Sequence, residues 1–340
     1  MPSSSFLGYI DTHQHRRDWA ESYKTTILEV SNLSSSIGVR AAIEMPNTKP
    51  RIISKELVEK RNASAKEQGC EKGHYLNIGG TISPYQIKEA VEAVAEYSNV
   101  TGIKIFTTGP DEDPLVIKRQ NDQSDFYKSL TKFGYYGVVI PHCEKESMFD
   151  IGRFDPNRPY TWNDQRPKES EVAAIEDQII SAIDAGFQGH IHFPHVTCEE
   201  SIDMVMNYVD NVSMSVEVTP QHMLFSTRDM MSKHGLEKKI NPPIRNQETV
   251  DVLWEKLKDV VEKKQLLVTV GTDHAVHTQK EKMEGDVLPS GKIEGYLSGY
   301  PGLKLYTNLV QELERREFSA EDIESMTYWN AKKIFPNIKE

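Results

Sequence analysis

Only three cysteines occur in 340 residues (Cys70, Cys143 and Cys198), and none stands in a CxxC pair. That scarcity excludes a disulfide framework and a structural zinc site built from thiolates, and an odd count suits a reducing, cytoplasmic setting. Long apolar runs are missing too. None reaches the roughly 18–20 residues that a membrane helix needs. The opening MPSSSFLGYI has no basic stretch ahead of an apolar one, so no secretory leader is expected. Positive charge is in deficit: 40 Lys and Arg against 51 Asp and Glu give a net charge of −11. A general nucleic-acid binder would carry a basic face instead. An anionic small molecule stays open, because a few local cations or metal ions override the global field. Repeats, low-complexity stretches and linkers are also lacking, so residues 1–340 read as one domain with a sizeable core.

What is present is an alternation. Eight short β-rich runs recur: LGYIDTH (7–13), VRAAIEM (39–45), HYLNIGGTI (74–82), TGIKIFT (101–107), YGVVIPH (136–142), GHIHFPH (189–195), VSMSVEV (212–218) and QLLVTVGT (265–272). Between them lie stretches of helical spacing. One places Val172, Ile175, Ile179 and Ile183 on a single face, and another does so with Val250, Leu253, Leu257 and Val260. Strands alternating with helices imply a parallel sheet. Eight such units predict a (β/α)8 TIM barrel. A doubly wound open sheet competes, but it usually has fewer strands and often a glycine-rich first turn, where this chain has HQHRRD.

A barrel collects its chemistry at the C-terminal ends of its strands. Those ends carry His13, His15, Asn47, Lys104, His142, His195, Glu217 and Asp273, with His277 close by. His13 and His15 lie two apart, so in a strand they face the same way and can reach one ion; alone, such a pair is as well read as two core-edge histidines. With His142, His195 and Asp273 at neighbouring ends, a site for zinc or a similar divalent ion is the better account. Lys104 sits among apolar neighbours in GIKIFTTG. It is open to three readings: a snorkelling lysine, a holder of a substrate anion, or a lysine carbamylated by CO2 that bridges two metal ions. Asp273 suits either a turn or a metal ligand that also moves a proton. Arg17 and Asn47 suit carboxylate recognition, although a lone arginine equally serves in a surface ion pair. Glu217 either lies near the metal or orients a ligand histidine. His190 and His192 read as structural, on the face of their strand opposite His195. His222 reads as support for a ligand, and His274 as support or packing. His74, His234 and Cys143 carry no assignable role. MPNTKP and INPPIR read as loops.

Taken in order, IDTHQHRRD, MPNTKP, GIKIFTTG, VVIPHCE, FPHVT, VEVTPQHMLF, INPPIRNQETVDVLWEKL, GTDHAVHTQKEK and GYPGLK resemble the amidohydrolase superfamily and, within it, the dihydroorotases. The resemblance runs from residue 10 to about 304, and the closing SMTYWNAKKIF is similar to the family's last helix with changes. It implies that His13 and His15 hold one metal ion with Asp273, that His142 and His195 hold a second, and that a carbamylated Lys104 bridges them. Two divalent ions, zinc by ligand type, are the implied cofactors. Arg17, Asn47 and His277 match residues that hold the substrate α-carboxylate. The implied reaction is the reversible cyclisation of N-carbamoyl-L-aspartate to L-dihydroorotate, with Asp273 shuttling the proton. TTGPDEDP is a candidate lid in which Thr107 and Thr108 touch substrate.

The chain departs from the family pattern at Arg16, where a leucine is usual, and at Val276, where a proline is usual. It begins almost at the first strand and stops soon after the last helix, so a barrel-only form without the accessory β-sandwich is expected. Neighbouring readings are a hydantoinase or allantoinase, and a non-catalytic homologue serving as scaffold for aspartate transcarbamoylase. The expected partner is a small-molecule substrate, with a homo-oligomer or an aspartate transcarbamoylase assembly around it and no nucleic acid or membrane.

Overall fold

The computed structural model describes residues 7–287 and 293–339, so the N-terminal residues 1–6 read above for a leader lie outside it. Nine strands form one parallel sheet: β1 (Tyr9–His15), β2 (Val39–Glu44), β3 (His74–Gly79), β4 (Val100–Phe106), β5 (Val138–His142), β6 (His190–Phe193), β7 (Ser213–Val218), β8 (Leu267–Val270) and β9 (His274–Ala275). Their order is β8-β7-β6-β5-β4-β3-β2-β1-β9. From β2 to β8 every strand neighbours its predecessor in sequence, so among the described residues there is no switch point of the doubly wound kind. The eighth run breaks after Val270 and resumes as β9, which pairs with β1 through Gln14 with His274 and His15 with Ala275. The sheet therefore closes on itself as the expected barrel.

Helices cover the outside because their apolar stripes need the sheet. In helix Lys168–Asp184, Ile175 and Ile179 are fully buried and Val172 and Ile183 half-buried. In helix Gln247–Glu262, Val250, Leu253, Leu257 and Val260 are all buried, and the Asn246 side chain caps its first turn. This outer layer forms the larger core. A second core fills the barrel's lower end, where Tyr328, Ala331, Ile334, Phe335 and Ile338 pack onto Ile10, Ala41, Ile43, Tyr75, Val138 and Ile140. The C-terminal segment thus plugs the N-terminal end of the barrel and leaves the opposite end open.

Local irregularity then aims the site. The β1–β2 pairing shifts register between Asp11 and Gln14. Asp11 holds that shift, its carboxylate accepting from the Thr272 N–H and Oγ1, the His13 N–H and Gln14 Nε2. Among the described residues no helix is long and apolar enough to cross a membrane. Beyond β9, a hairpin of β10 (Gly285–Val287) and β11 (Ile293–Gly295) leads into residues 296–299 at the barrel mouth.

Candidate active site

A cavity of about 550 Å3 opens at the C-terminal ends of the strands. It is lined by all nine residues that the sequence nominates for metal, base and carboxylate roles: His13, His15, Arg17, Asn47, Lys104, His142, His195, Asp273 and His277. They come from loops and strand ends spread over 265 residues of chain, so the barrel, not local sequence, assembles them.

His13, His15 and Asp273 form a group able to hold a metal ion, with ligand atoms within 4.8 Å of one another. The Nε2 of His13 lies 3.3 Å and that of His15 2.8 Å from Asp273 Oδ1. The other ring nitrogens are engaged from behind: His13 Nδ1 stands 2.9 Å from Glu217 Oε1, and His15 Nδ1 2.6 Å from Asn47 Oδ1. A neutral imidazole has one N–H. Donated by His13 to Glu217, it leaves the Nε2 lone pair aimed at a carboxylate, an arrangement that a cation completes. Burial would raise the Asp273 carboxyl, but His13 and His15 outweigh it and hold the group at about 2, ionised throughout the neutral range.

The second cluster pairs two buried histidines. His142 Nδ1 and His195 Nε2 face each other at 3.0 Å. Lys104 is fully buried between the clusters, and among the described residues neither its Nζ nor His195 Nδ1 has a hydrogen-bond partner. The ammonium lies 4.9 Å from the centre of the Phe106 ring. Desolvation pulls Lys104 down to about 8, against the pull of Glu217 and Asp273, so far more of it is free amine near neutrality than of an ordinary lysine. An orphaned, partly deprotonated amine between two histidine clusters fits a group that CO2 can modify.

The third part is an anion pocket. Arg17 reaches His277 Nε2 at 3.0 Å and the Val276 carbonyl at 3.2 Å. Lys24 Nζ stands 3.3 Å from His277 Nδ1. Burial first, then the Arg17 and Lys24 cations, push the His277 imidazole down to about 2, so it stays neutral. Seven Lys and Arg side chains line the cavity against three carboxylates, although the chain as a whole is acidic.

No family model matches the chain. Curated dihydroorotases do. That of Methanosphaera stadtmanae is 26% identical over 340 residues, covering 96% of this chain and 70% of that protein. That of Brevibacillus brevis is 28% identical over 312 residues, covering 89% and 68%. The chain thus spans about two thirds of the length of these relatives. Among solved structures, an L-hydantoinase (dihydropyrimidinase) from Arthrobacter aurescens aligns with a TM-score of 0.79 at 18% identity, over 97% of this chain and 71% of that one. A D-hydantoinase gives 0.76 at 19%, over 97% and 71%. The chain is thus similar to curated dihydroorotases at 26–28% identity and shares the fold of the solved hydantoinases.

Within this barrel both departures from the pattern that the sequence resembles are accommodated. Arg16 turns away from the mouth, its Nε donating to Gln14 Oε1 and its NH1 to His74 Nδ1 at 3.0 Å each, in a buried network with Glu44 and Arg61. Val276 contributes its backbone carbonyl to Arg17, a group that proline would also offer. Glu217 acts by orienting His13. His222 bridges Thr219 Oγ1 and the Pro242 carbonyl, and His274 Nδ1 accepts from the Leu303 N–H. Thr108 lines the cavity, whereas Thr107 Oγ1 donates to the carbonyls of His142 and Glu144 and holds two strand ends together. The reading of His192 needs correcting. It points into the barrel, 3.7 Å from Glu217 Oε2, and not away from the site. The alternation rule fails there because His195 lies beyond the strand with φ of +42°, which swings it back to the axis.

Two supporting residues went unread. Glu144 is fully buried, bonded to His142 Nε2 at 2.9 Å and gripped by both Nε and NH2 of Arg166. VVIPHCE contains that glutamate, two residues past His142, but Arg166 is 22 residues on and no spacing rule connects them.

Proposed function

We propose that this protein is a cyclic amidohydrolase and, specifically, a dihydroorotase, interconverting N-carbamoyl-L-aspartate and L-dihydroorotate. The observation that carries the reading is that the Arg17–His277 pair shares one cavity with the His13–His15–Asp273 group, which joins a carboxylate anchor to a metal-type centre. His13, His15 and Asp273 would hold one divalent ion, His142 and His195 a second, and Lys104 as its carbamate the bridge; imidazole and carboxylate donors favour zinc. Carbamylation turns a buried cation into an anion, which reverses the one charge that would repel dications. When bound, the ions would acidify a water and polarise the ring carbonyl.

The chain's own groups do the rest. Arg17, with Asn47 and His277, fixes the carboxylate and so the ring orientation. Asp273, held at about 2, is too weak a base for bulk water, so it serves only against an acidified one. In hydrolysis it takes the proton of the attacking water and returns it to the ring nitrogen as the C–N bond breaks. In cyclisation it takes the proton of the ureido nitrogen as that bond forms and passes it to the carboxyl oxygen that departs as water when the C–O bond breaks. Thr108, beside Gly109 and Pro110 at the cavity wall, belongs to the segment proposed to close over substrate.

Turnover of L-dihydroorotate, hydantoin and allantoin, with metal content measured on the same sample, tests the proposal. Preferred turnover of L-dihydroorotate with about two bound ions supports it. Preference for hydantoin or allantoin replaces it with the neighbouring reading. A metal-free, inactive protein that binds aspartate transcarbamoylase leaves the scaffold reading. A cytoplasmic setting belongs to the same proposal, supported by three buried unpaired cysteines.

A further inference from the structure

One cation in the cavity has no part in the account above. Lys239 stands two residues before Asn241 of INPPIR, is 5% exposed, and lines the cavity. Its Nζ lies 3.7 Å above the centre of the Trp162 ring and 5.3 Å from that of Phe154, and donates to Ser298 Oγ at 2.9 Å. Among the described residues no carboxylate pairs with it. The charged groups nearest it are Lys282 and Arg166, both of like sign, and Glu144, which Arg166 already engages. Ser298 ties the lysine to the anion pocket: its carbonyl lies 3.0 Å from His277 Nε2, the same nitrogen that Arg17 reaches. A buried ammonium on aromatic faces, lacking a counter-ion and opening on a cavity rich in cations, is a charge that an incoming anion completes.

We propose that Lys239 is a second cationic arm of the anion pocket, donating from Nζ to the carboxylate of the bound substrate alongside Arg17. This rests on the proposed dihydroorotase reading and sharpens it. Opposing arms from the Arg17 and Lys239 loops would fix the carboxylate in one orientation and select against ring substrates that lack it. Lys239 is then a specificity determinant, and uncharged cyclic amides are the substrates it disfavours.

The test uses the metal-loaded enzyme and the variants K239M, K239Q and K239R. Steady-state kinetics give kcat and KM for L-dihydroorotate. Calorimetry gives affinities for orotate and for uracil, the same ring without the carboxylate. K239M and K239Q should raise KM about 10- to 100-fold and weaken orotate by a similar factor, the range for a hydrogen bond to a charged group. The kcat value should hold within about threefold, uracil binding should not change, and K239R should recover most of the loss. Unchanged orotate affinity in K239M and K239Q, or equal losses for orotate and uracil, overturns the assignment. Should K239M fail to fold, K239Q against K239R decides by the same readings. Wild-type enzyme that binds orotate without turning over L-dihydroorotate removes the dihydroorotase reading and leaves Lys239 to be judged by binding alone. Wild-type enzyme that binds neither ring overturns both.

Discussion

Gly271 lies against the carboxylate of Glu217 so closely that a Cβ at that position would collide with both oxygens. The glycine, at the break between β8 and β9, makes room for the group that orients His13. In G271A the methyl would displace Glu217 from His13 Nδ1 while leaving every ligand in place. Metal affinity, measured by competition with a chelator, should fall about 10- to 100-fold, the usual effect of losing a partner behind a ligand histidine. E217Q should fall in the same range. An affinity equal to wild type in both would show that Glu217 does not set the His13 tautomer.

Lys104 should separate stability from activity. Its ammonium is fully buried, without a hydrogen-bond partner among the described residues. Methionine keeps the stem and removes the polar group, so K104M should stabilise the metal-free protein by about 1–3 kcal/mol, the cost of an unsatisfied buried polar group. The same variant should lose turnover, and zinc with bicarbonate, expected to raise the melting temperature of wild type, should no longer raise that of K104M. A K104M protein less stable than metal-free wild type would show that the ammonium has a favourable partner after all.

How much of this was legible can be traced residue by residue. The eight strand runs stood out because strands buried on both faces are continuous apolar runs. His13, His15, His142, His195 and Asp273 stood out because polar residues ending such runs have few other reasons to be there. The β8–β9 break did not, because it depends on Asp273 taking a φ of +44°. His195 has the same left-handed backbone, and neither residue type announces it. Arg166, Lys239 and the Arg16–His74–Glu44–Arg61 network were silent because each is defined by partners far along the chain. Burial, not spacing, gives them meaning.

The loop after β2 is tied to the loop after β4. Arg51 donates from Nε and NH2 to Asp113 Oδ2 at 3.0 and 2.6 Å, and from NH1 to the Asn47 carbonyl at 2.6 Å. The pair is partly exposed, so D113A should cost at most about 1 kcal/mol of stability. Its effect on substrate should be larger, because Asn47 holds His15 Nδ1 and is the proposed carboxylate contact. KM for L-dihydroorotate should rise several-fold with the thermal midpoint nearly unchanged. A drop in stability without a change in KM would make the link structural only.

Glu144 should set part of the acid limit of the fold. Burial would raise its carboxyl, yet the Arg166 guanidinium and His142 outweigh burial and lower it from the ordinary 4.5 to about 2. The folded state therefore resists a proton that the unfolded chain accepts near 4.5. That stabilisation is complete above pH 4.5 and is lost as pH falls through about 2. The difference corresponds to about 3 kcal/mol at neutral pH, an order-of-magnitude figure. E144Q cannot bind that proton and leaves Arg166 buried beside a neutral amide, a costly state in itself. Urea midpoints measured from pH 7 to pH 3 should thus show E144Q well below wild type at pH 7, with the gap narrowing as wild type loses the Glu144 contribution. A gap that stays constant down to pH 3 would place the proton uptake on other carboxylates, Asp273 foremost, since it is held at about 2 by the same kind of neighbours.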